Sequence, residues 1–384
     1  MSVDADLAQA SLSRLKLWLI DKAFPLWWEH GADHLEGGFH EKLSQQGQAV
    51  QLPKRARVQP RQIYSFSRAG QLGWTGDWRA AVRHGIEFYL AFYLRPDGLV
   101  RTLVATDGRP LDETAAFYDQ AFALLGLHAA FATFDHDPIY RDRARRLIGE
   151  WIRSHKHPMA GFEESVPRSL PLCANPHMHL FESCLAWLGD DPEGPWRAIA
   201  AEIGALALTY FIDANSGYLR EFFAGDWSPM PGEPGRIIEP GHQFEWAWLL
   251  MRWGRLEDHP GAIEAGLRLI EIGETHGVDP RRGVAFNSLR DDFSDLDRRA
   301  RLWPQTERIK AHCLAAEVTG KAQHWASAAE AAQGLMLYLD TPIPGLWWDM
   351  LTETEGFINE PAPASSFYHI VCAIAEFDRA VAAR

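Results

Sequence analysis

The sequence predicts an all-α protein, an (α/α)6 barrel of six inner and six outer helices. Three observations carry this expectation. Six short polar clusters, centred on Arg61, Asp119, His179, His242, Glu307 and His369, each stand at the front of an apolar helical stretch. Their spacing is nearly even, with gaps of 58, 60, 63, 65 and 62 residues. Twelve stretches in all repeat apolar residues at intervals of three and four. A 60-residue period is two helices and their connections, and stacked units bury faces that one unit could not bury alone. Closing six units into a ring brings the fronts of the inner helices to one mouth.

The elements follow in order. The stretch 8–24 is the first outer helix. A long connection, 25–60, carries the strand-like GGFHEKL and leads into the first inner helix, 61–74, which opens RQIYSFS and meets a stop at Gly70. The segment Trp74–Asp77 is a short turn into the outer helix 76–92, whose AVRHGIEFYLAFYL keeps its charges on one face. The connection 93–114 holds GLVRTLVATDGRPL, which reads as a short hairpin, and precedes the inner helix 115–132 with its FYDQAF start. The outer helix 138–156 is again charged on one side (YRDRARRLIGEWIRSH). Connection 157–174 leads to NPHMHLFES in the inner helix 175–189, stopped at Gly189; 192–212 is outer.

After 213–240 comes EPGHQFEWAWLLMRWG, an inner helix over 241–254 that is apolar nearly all round and ends at Gly254. The outer helix 258–274 and the connection 275–304, with the strand-like GVAFNSL, precede QTERIKA in the inner helix 305–319, stopped at Gly320. The last pair is 322–340 and 365–380, joined by 341–364 and carrying SSFYHIV. Each long connection leads into a polar cluster, so all should shape one face, and loops this long are usually functional. No composition shift divides the chain, so one domain over 1–384 is expected.

Composition narrows the function. A formal net charge of −13 argues against a nucleic-acid partner, which needs a basic footprint. Sixteen tryptophans and twenty phenylalanines supply both a core and flat apolar rings suited to the faces of a sugar. Four scattered cysteines without a CxxC pair read as core residues of a reducing compartment. The N-terminus carries acids before its apolar part, unlike a signal peptide, and no apolar run approaches a membrane span. A cytoplasmic location and no membrane partner are expected.

His179-x-x-Glu182 and His242-x-x-Glu245 share one spacing, and residues i and i+3 lie on one helix face. A neighbouring carboxylate raises histidine basicity and fixes its tautomer, which serves acid–base chemistry near neutral pH. His369 sits among Phe367, Tyr368 and Ile370, a setting that favours the neutral base. Arg61, and Arg236 as a second candidate, offer guanidinium groups to sugar hydroxyls or a developing oxyanion. The bland alternative for each histidine taken singly is a satisfied core residue. His177 and His179 point apart on a helix, and the two His-x-x-Glu pairs are half of a di-metal site, with Glu307 and Asp119 the residues that would have to complete it. No metal and no cofactor are expected, and no phosphate-loop or dinucleotide motif is present.

At NPHMHLFES and PGHQFEWAWLL, and more weakly at the Arg61–Gln62 pair and YDQAF, the chain resembles the N-acylglucosamine 2-epimerase superfamily. The likeness extends from LWWEHGADHLEGGFHEKL to SSFYHIVCAI. That group includes cellobiose and mannose 2-epimerases and the mannose and sulfoquinovose isomerases. The resemblance implies the (α/α)6 barrel and metal-independent proton transfer beside the carbonyl of an open-chain sugar, through a cis-enediol. By resemblance, His369 is the base between C2 and C1, and His242 assists ring opening or acts as a second acid–base. Glu245 would orient His242 or hold a hydroxyl. Arg61 and His179 would hold sugar oxygens near the reacting carbons, Glu307 would contact hydroxyls or support a neighbouring histidine, and Asp119 and Arg236 complete the candidate binding set. Some isomerase members carry a glutamine four residues before the last histidine, where this chain has Ser365; the PAPASSFYH stretch looks most like mannose isomerase-type members.

The leading expectation is a D-mannose/D-fructose isomerase with some reach to D-lyxose, acting on a monosaccharide; a homodimer is compatible with it. A 2-epimerase of the mannose/glucose or cellobiose type shares the enediol. From another class, (α/α)6 glycoside hydrolases would use two of Asp119, Glu182, Glu245 and Glu307. A sugar-binding protein without catalysis is the remaining reading, and fold alone does not separate these.

Overall fold

The computed structural model describes residues 3–354 and 356–384. Among them are twelve long helices: α1 (Val3–Trp18), α2 (Val58–Leu72), α3 (Trp78–Phe92), α4 (Phe117–Thr133), α5 (Pro138–His155), α6 (Ala174–Trp187), α7 (Trp196–Leu206), α8 (Pro240–Leu256), α9 (Pro260–Gly277), α10 (Trp303–Thr319), α11 (Ala322–Leu339) and α12 (Ala364–Ala382). The even-numbered helices form the inner ring. Each packs on the next, and α12 packs on α2, which closes the (α/α)6 barrel.

Burial follows the patterns in the sequence. Helix α5 buries only the stripe Ala144, Leu147, Ile148, Trp151 and His155, as an outer helix with a solvated side should. Inner α4 and α8 are buried on nearly every side. The first outer helix is longer than its apolar spacing predicts: two widened turns, with Phe24 N–H bonded to Leu19 O and Ala32 N–H to Trp27 O, carry the chain on to Gly31.

Two expected helix stops lie instead inside helices. At Gly70 an added Cβ would come within 2.4 Å of the Trp78 ring, and at Gly254 within 2.8 Å of Ile263. Both glycines allow an outer helix to approach an inner one. The turn that ends α2 is at Gly73, with φ 101°, while Gly320 at φ 67° ends α10 as expected.

The long connections share the face at the inner-helix N-termini. Their strands are two to three residues long, and most pair one connection with its neighbour. Lys54–Arg55 pairs with Leu103–Val104, Leu172–Cys173 with Phe222–Phe223, Ile237–Ile238 with Ser288–Arg290, and Ala300–Arg301 with Met350–Leu351. Lys42–Leu43 pairs with Ala362–Pro363, joining first connection to last. The expected local hairpins at 103–112 and 278–285 are also present. A recurring glutamine pins these connections to the barrel. Gln59 bonds both backbone groups of Phe39, Gln120 those of Val100, Gln243 those of Leu219, and Gln305 those of Ala285. Each is buried, so each pair of bonds satisfies a loop residue that water does not reach.

Candidate active site

Five of the six cluster residues, Arg61, His179, His242, Glu307 and His369, lie together at the inner-helix N-termini. His369 on α12 hydrogen-bonds through Nδ1 to Glu307 Oε1 on α10 at 2.8 Å. The second Glu307 oxygen is 2.5 Å from the ammonium of Lys310, one turn further along the same helix. His242 on α8 bonds through Nδ1 to Glu221 Oε2 at 2.8 Å, with Glu239 3.5 Å away. In both cases Nδ1 is taken, which leaves Nε2 for a substrate and sets the tautomer. The half-buried ring of Trp303 neighbours both imidazoles, its centroid 5.0 Å from that of His242 and 5.7 Å from that of His369.

The surroundings push the two histidines in opposite directions. Burial, helped by the positive charges of Arg61 and Lys310, holds His369 well below the usual histidine range. Burial would depress His242 too, but Glu221 and Glu239 overcome it and raise the imidazole to about 10. At neutral pH, His369 is a neutral imidazole and His242 a charged imidazolium. Divergent pKa values in one cleft are how an acid and a base are assigned to one reaction.

Beneath them is a buried layer of charge. Glu182 hydrogen-bonds the Tyr368 hydroxyl and lies 3.5 Å from His179 Nδ1. Burial opposes its ionisation, but His179, Lys310 and Tyr368 lower Glu182 to about 2. Burial takes His179 down to about 3, so it is neutral. Glu245 lies 3.9 Å from His179, and burial together with repulsion from Glu307 raises its carboxyl well above the ordinary value. Arg61 donates to the Tyr118 hydroxyl at 2.6 Å and lies over the Phe122 ring at 4.1 Å.

Two predicted residues have other partners. Asp119 is fully buried, with one oxygen bonded to Arg57 Nε at 3.0 Å and the other to Thr102 Oγ1 at 2.8 Å. It holds Arg57 at the mouth. Arg236 bonds Asp291 at 2.8 Å and Asp292 at 2.9 Å, and none of its contacts reaches the histidines. Sequence reasoning missed Glu221, Lys310, Trp303, Tyr118 and Tyr368. Asn175, one turn before His179, was also missed; its amide oxygen is buried without a hydrogen-bond partner among the described residues. The four-residue spacing to His179 was the available signal.

Three sets of ligand atoms lie within 4.8 Å of one another and could hold a cation: His179, Glu182 and Glu245; Glu221, Glu239 and His242; and Glu245, Glu307 and His369. Positive charge is already built into two of them, from Lys310 on Glu307 and from His242 itself.

A family model described as N-acylglucosamine 2-epimerase (GlcNAc 2-epimerase) matches residues 37–373. The chain belongs to this family. Within the N-acylglucosamine 2-epimerase family, it is 46% identical to a protein of Rhizobium meliloti (strain 1021) named mannose-6-phosphate isomerase, over 98% of both chains. Its fold matches the cellobiose 2-epimerase of Spirochaeta thermophila DSM 6192 with a TM-score of 0.87 at 22% identity, covering 100% of this chain and 99% of that one. A D-mannose isomerase structure matches with a TM-score of 0.85 at 18% identity over 99% of each chain. The family's barrel is the one the 60-residue period predicts.

Proposed function

We propose that this protein is an aldose–ketose isomerase that interconverts D-mannose and D-fructose through a cis-enediol. The observation that carries the reading is the pair of oppositely poised histidines that share Trp303 as a neighbour. Nε2 of His369 removes the proton from C2 of the open-chain aldose. The C2–H electrons form the C1–C2 double bond, and the carbonyl electrons move to O1. His242 gives its proton to O1, completing the enediol. In the second half His242 takes the proton from O2, the C2 carbonyl forms, and protonated His369, its proton exchanging with solvent while the enediol lives, delivers a proton to C1. A charged His242 also suits the prior opening of the sugar ring. Arg61, His179 and Asn175 are assigned to hold the oxygens near C1 and C2, a role supported for Asn175 by its buried amide oxygen, which has no hydrogen-bond partner among the described residues.

Mannose is favoured by the relatives named for mannose-phosphate and mannose isomerisation and by the PAPASSFYH segment. An unphosphorylated sugar is favoured because arginines around the mouth already face carboxylates: Arg55 has Glu41, Arg57 has Asp119, Arg236 has Asp291, and Arg301 has Asp349 at 3.6 Å. The family model's description supports a second reading, a 2-epimerase in which His242 returns the proton to the opposite face of C2.

The test is proton NMR of D-mannose and of D-mannose 6-phosphate with the protein in deuterated water containing EDTA. Fructose with deuterium at C1 is the expected product from the free sugar. Glucose deuterated at C2 would replace the isomerase with the epimerase. Turnover of the phosphate ester alone would correct the substrate, and exchange that stops with EDTA would overturn the metal-free mechanism.

A further inference from the structure

The lumen does not end at the catalytic layer. Behind it, between the C-terminal halves of the inner helices, is a cavity of about 1100 Å³. Its wall includes Tyr64 and Arg68 of α2, His128 of α4, Glu182 of α6, Arg252 of α8 and Glu376 of α12. This volume is that of a site for a whole small molecule. The proton-transfer reaction uses none of it.

Most of the charges lining it are already neutralised. Arg379 is bound by Glu376 and Glu317, Arg255 by Glu317, Asp378 by Lys16 and Arg79 by Asp135, while Asp190 is hydrogen-bonded to His128. Two cations are not. Arg68 donates to Gln71 Oε1 and lies 5.1 Å from the Tyr64 ring centroid, while its buried Nε has no hydrogen-bond partner among the described residues. Arg252 reaches the Leu185 carbonyl at 3.5 Å and lies 5.6 Å from the Trp248 ring centroid. Neither forms an ion pair with a carboxylate among the described residues.

The two arginines stand on α2 and α8, opposite each other in the six-helix ring, and both act on the same neighbour. Burial depresses His128, its bond to Asp190 opposes this, and the positive charges of Arg68 and Arg252 both add to the depression. Glu376, the nearest shared acid, is occupied by Arg379. Two guanidinium groups that line one cavity from opposite walls, neither in ion-pair contact with a carboxylate among the described residues, can offer planar bidentate recognition to a phosphate group.

We propose that this rear cavity is a second ligand site, separate from the sugar site, which binds a small organic phosphate monoester between Arg68 and Arg252. The binding is independent of which sugar is turned over at the mouth.

The test titrates β-glycerophosphate, and in parallel inorganic phosphate, into the full-length protein by calorimetry. Saturable glycerophosphate binding is expected, unchanged in His369→Gln and unaffected by excess D-mannose. Arg68→Gln and Arg252→Gln should each weaken it by about tenfold or more, the loss of one charge-assisted contact. Arg252→Lys, which keeps the charge, should recover part of the affinity. Matched unfolding temperatures for Arg252→Gln and Arg252→Lys show that the contrast reads the ligand rather than the fold. Binding of inorganic phosphate with the same arginine dependence also supports the site and identifies the free ion as a sufficient ligand. No saturable binding of either probe, equal affinity in all variants, or displacement by D-mannose would overturn the proposal.

Discussion

His242 and His369 both neighbour the indole of Trp303, and their environments hold them in opposite charge states. Glu221 lies 2.8 Å from His242 and raises it to about 10, whereas His369 is depressed by burial, Arg61 and Lys310. This difference suits one to the acid role and the other to the base role of the proposed reaction without any change of residue type.

Replacing the base should abolish the carbon chemistry and spare the cavity. His369→Gln is expected to lower kcat by about 10²–10⁴, the usual worth of a positioned general base. Solvent deuterium incorporation should fall in parallel, because the same proton is involved. Binding of mannose, followed by tryptophan fluorescence from Trp303, should persist. Undiminished deuterium exchange in this variant would remove His369 from the mechanism.

The Glu221–His242 pair sets the alkaline limit. In the proposed reaction His242 works as an acid, so activity should fall as pH rises through its elevated pKa. Glu221→Gln removes the first of the charges that raise it, leaving Glu239 and Glu245. The alkaline limb of kcat/KM should move down toward neutrality, with the acid limb unmoved. A limb that stays in place would show that His242 is not the titrating acid.

Arg61 acts on the other limb. His369 is active when neutral, so activity falls as pH drops through its depressed pKa. After burial, Arg61 is the largest cause of that depression. Arg61→Gln should therefore shift the acid limb upward as well as raise KM, while Arg61→Lys, which keeps the charge, should raise KM with little shift. Equal pH profiles for the two variants would confine Arg61 to substrate binding.

The parts of this site that could be read from sequence were those with a period. A 60-residue repeat placed Arg61, His179, His242, Glu307 and His369 at equivalent helix starts, and the closed ring brought them together. Glu221 has no such mark. It lies on a connection 21 residues before His242 and is carried to it by the pairing of Phe222–Phe223 with Leu172–Cys173, two segments that are far apart in sequence. Lys310 resembles any helix charge until burial puts it on Glu307. Arg236 failed for the opposite reason: basic and close to His242 in sequence, it is drawn to Asp291 and Asp292 across the connection. Gly70 and Gly254 followed apolar runs as stop residues do, yet the space an added Cβ would need is filled by Trp78 at one and by Ile263 at the other, so both serve helix approach.

Lys310 offers a test of stability that separates charge balance from catalysis. It is fully buried, and its raised affinity for a proton, despite burial, comes from Cys372, Glu307, Glu245 and Glu182 around it. Lys310→Met leaves the Glu307 carboxylate without its cation in a site closed to water. Breaking one side of a buried pair costs about 3–5 kcal/mol, because the remaining charge is uncompensated. Chemical unfolding should show a loss of that size. The double variant Lys310→Met/Glu307→Gln removes both charges and should recover much of the stability while remaining impaired in turnover, since His369 has lost its carboxylate partner. If the double variant is as unstable as the single one, the contribution of Lys310 is packing against Trp248, whose ring centroid is 4.0 Å from its ammonium, rather than neutralisation of Glu307.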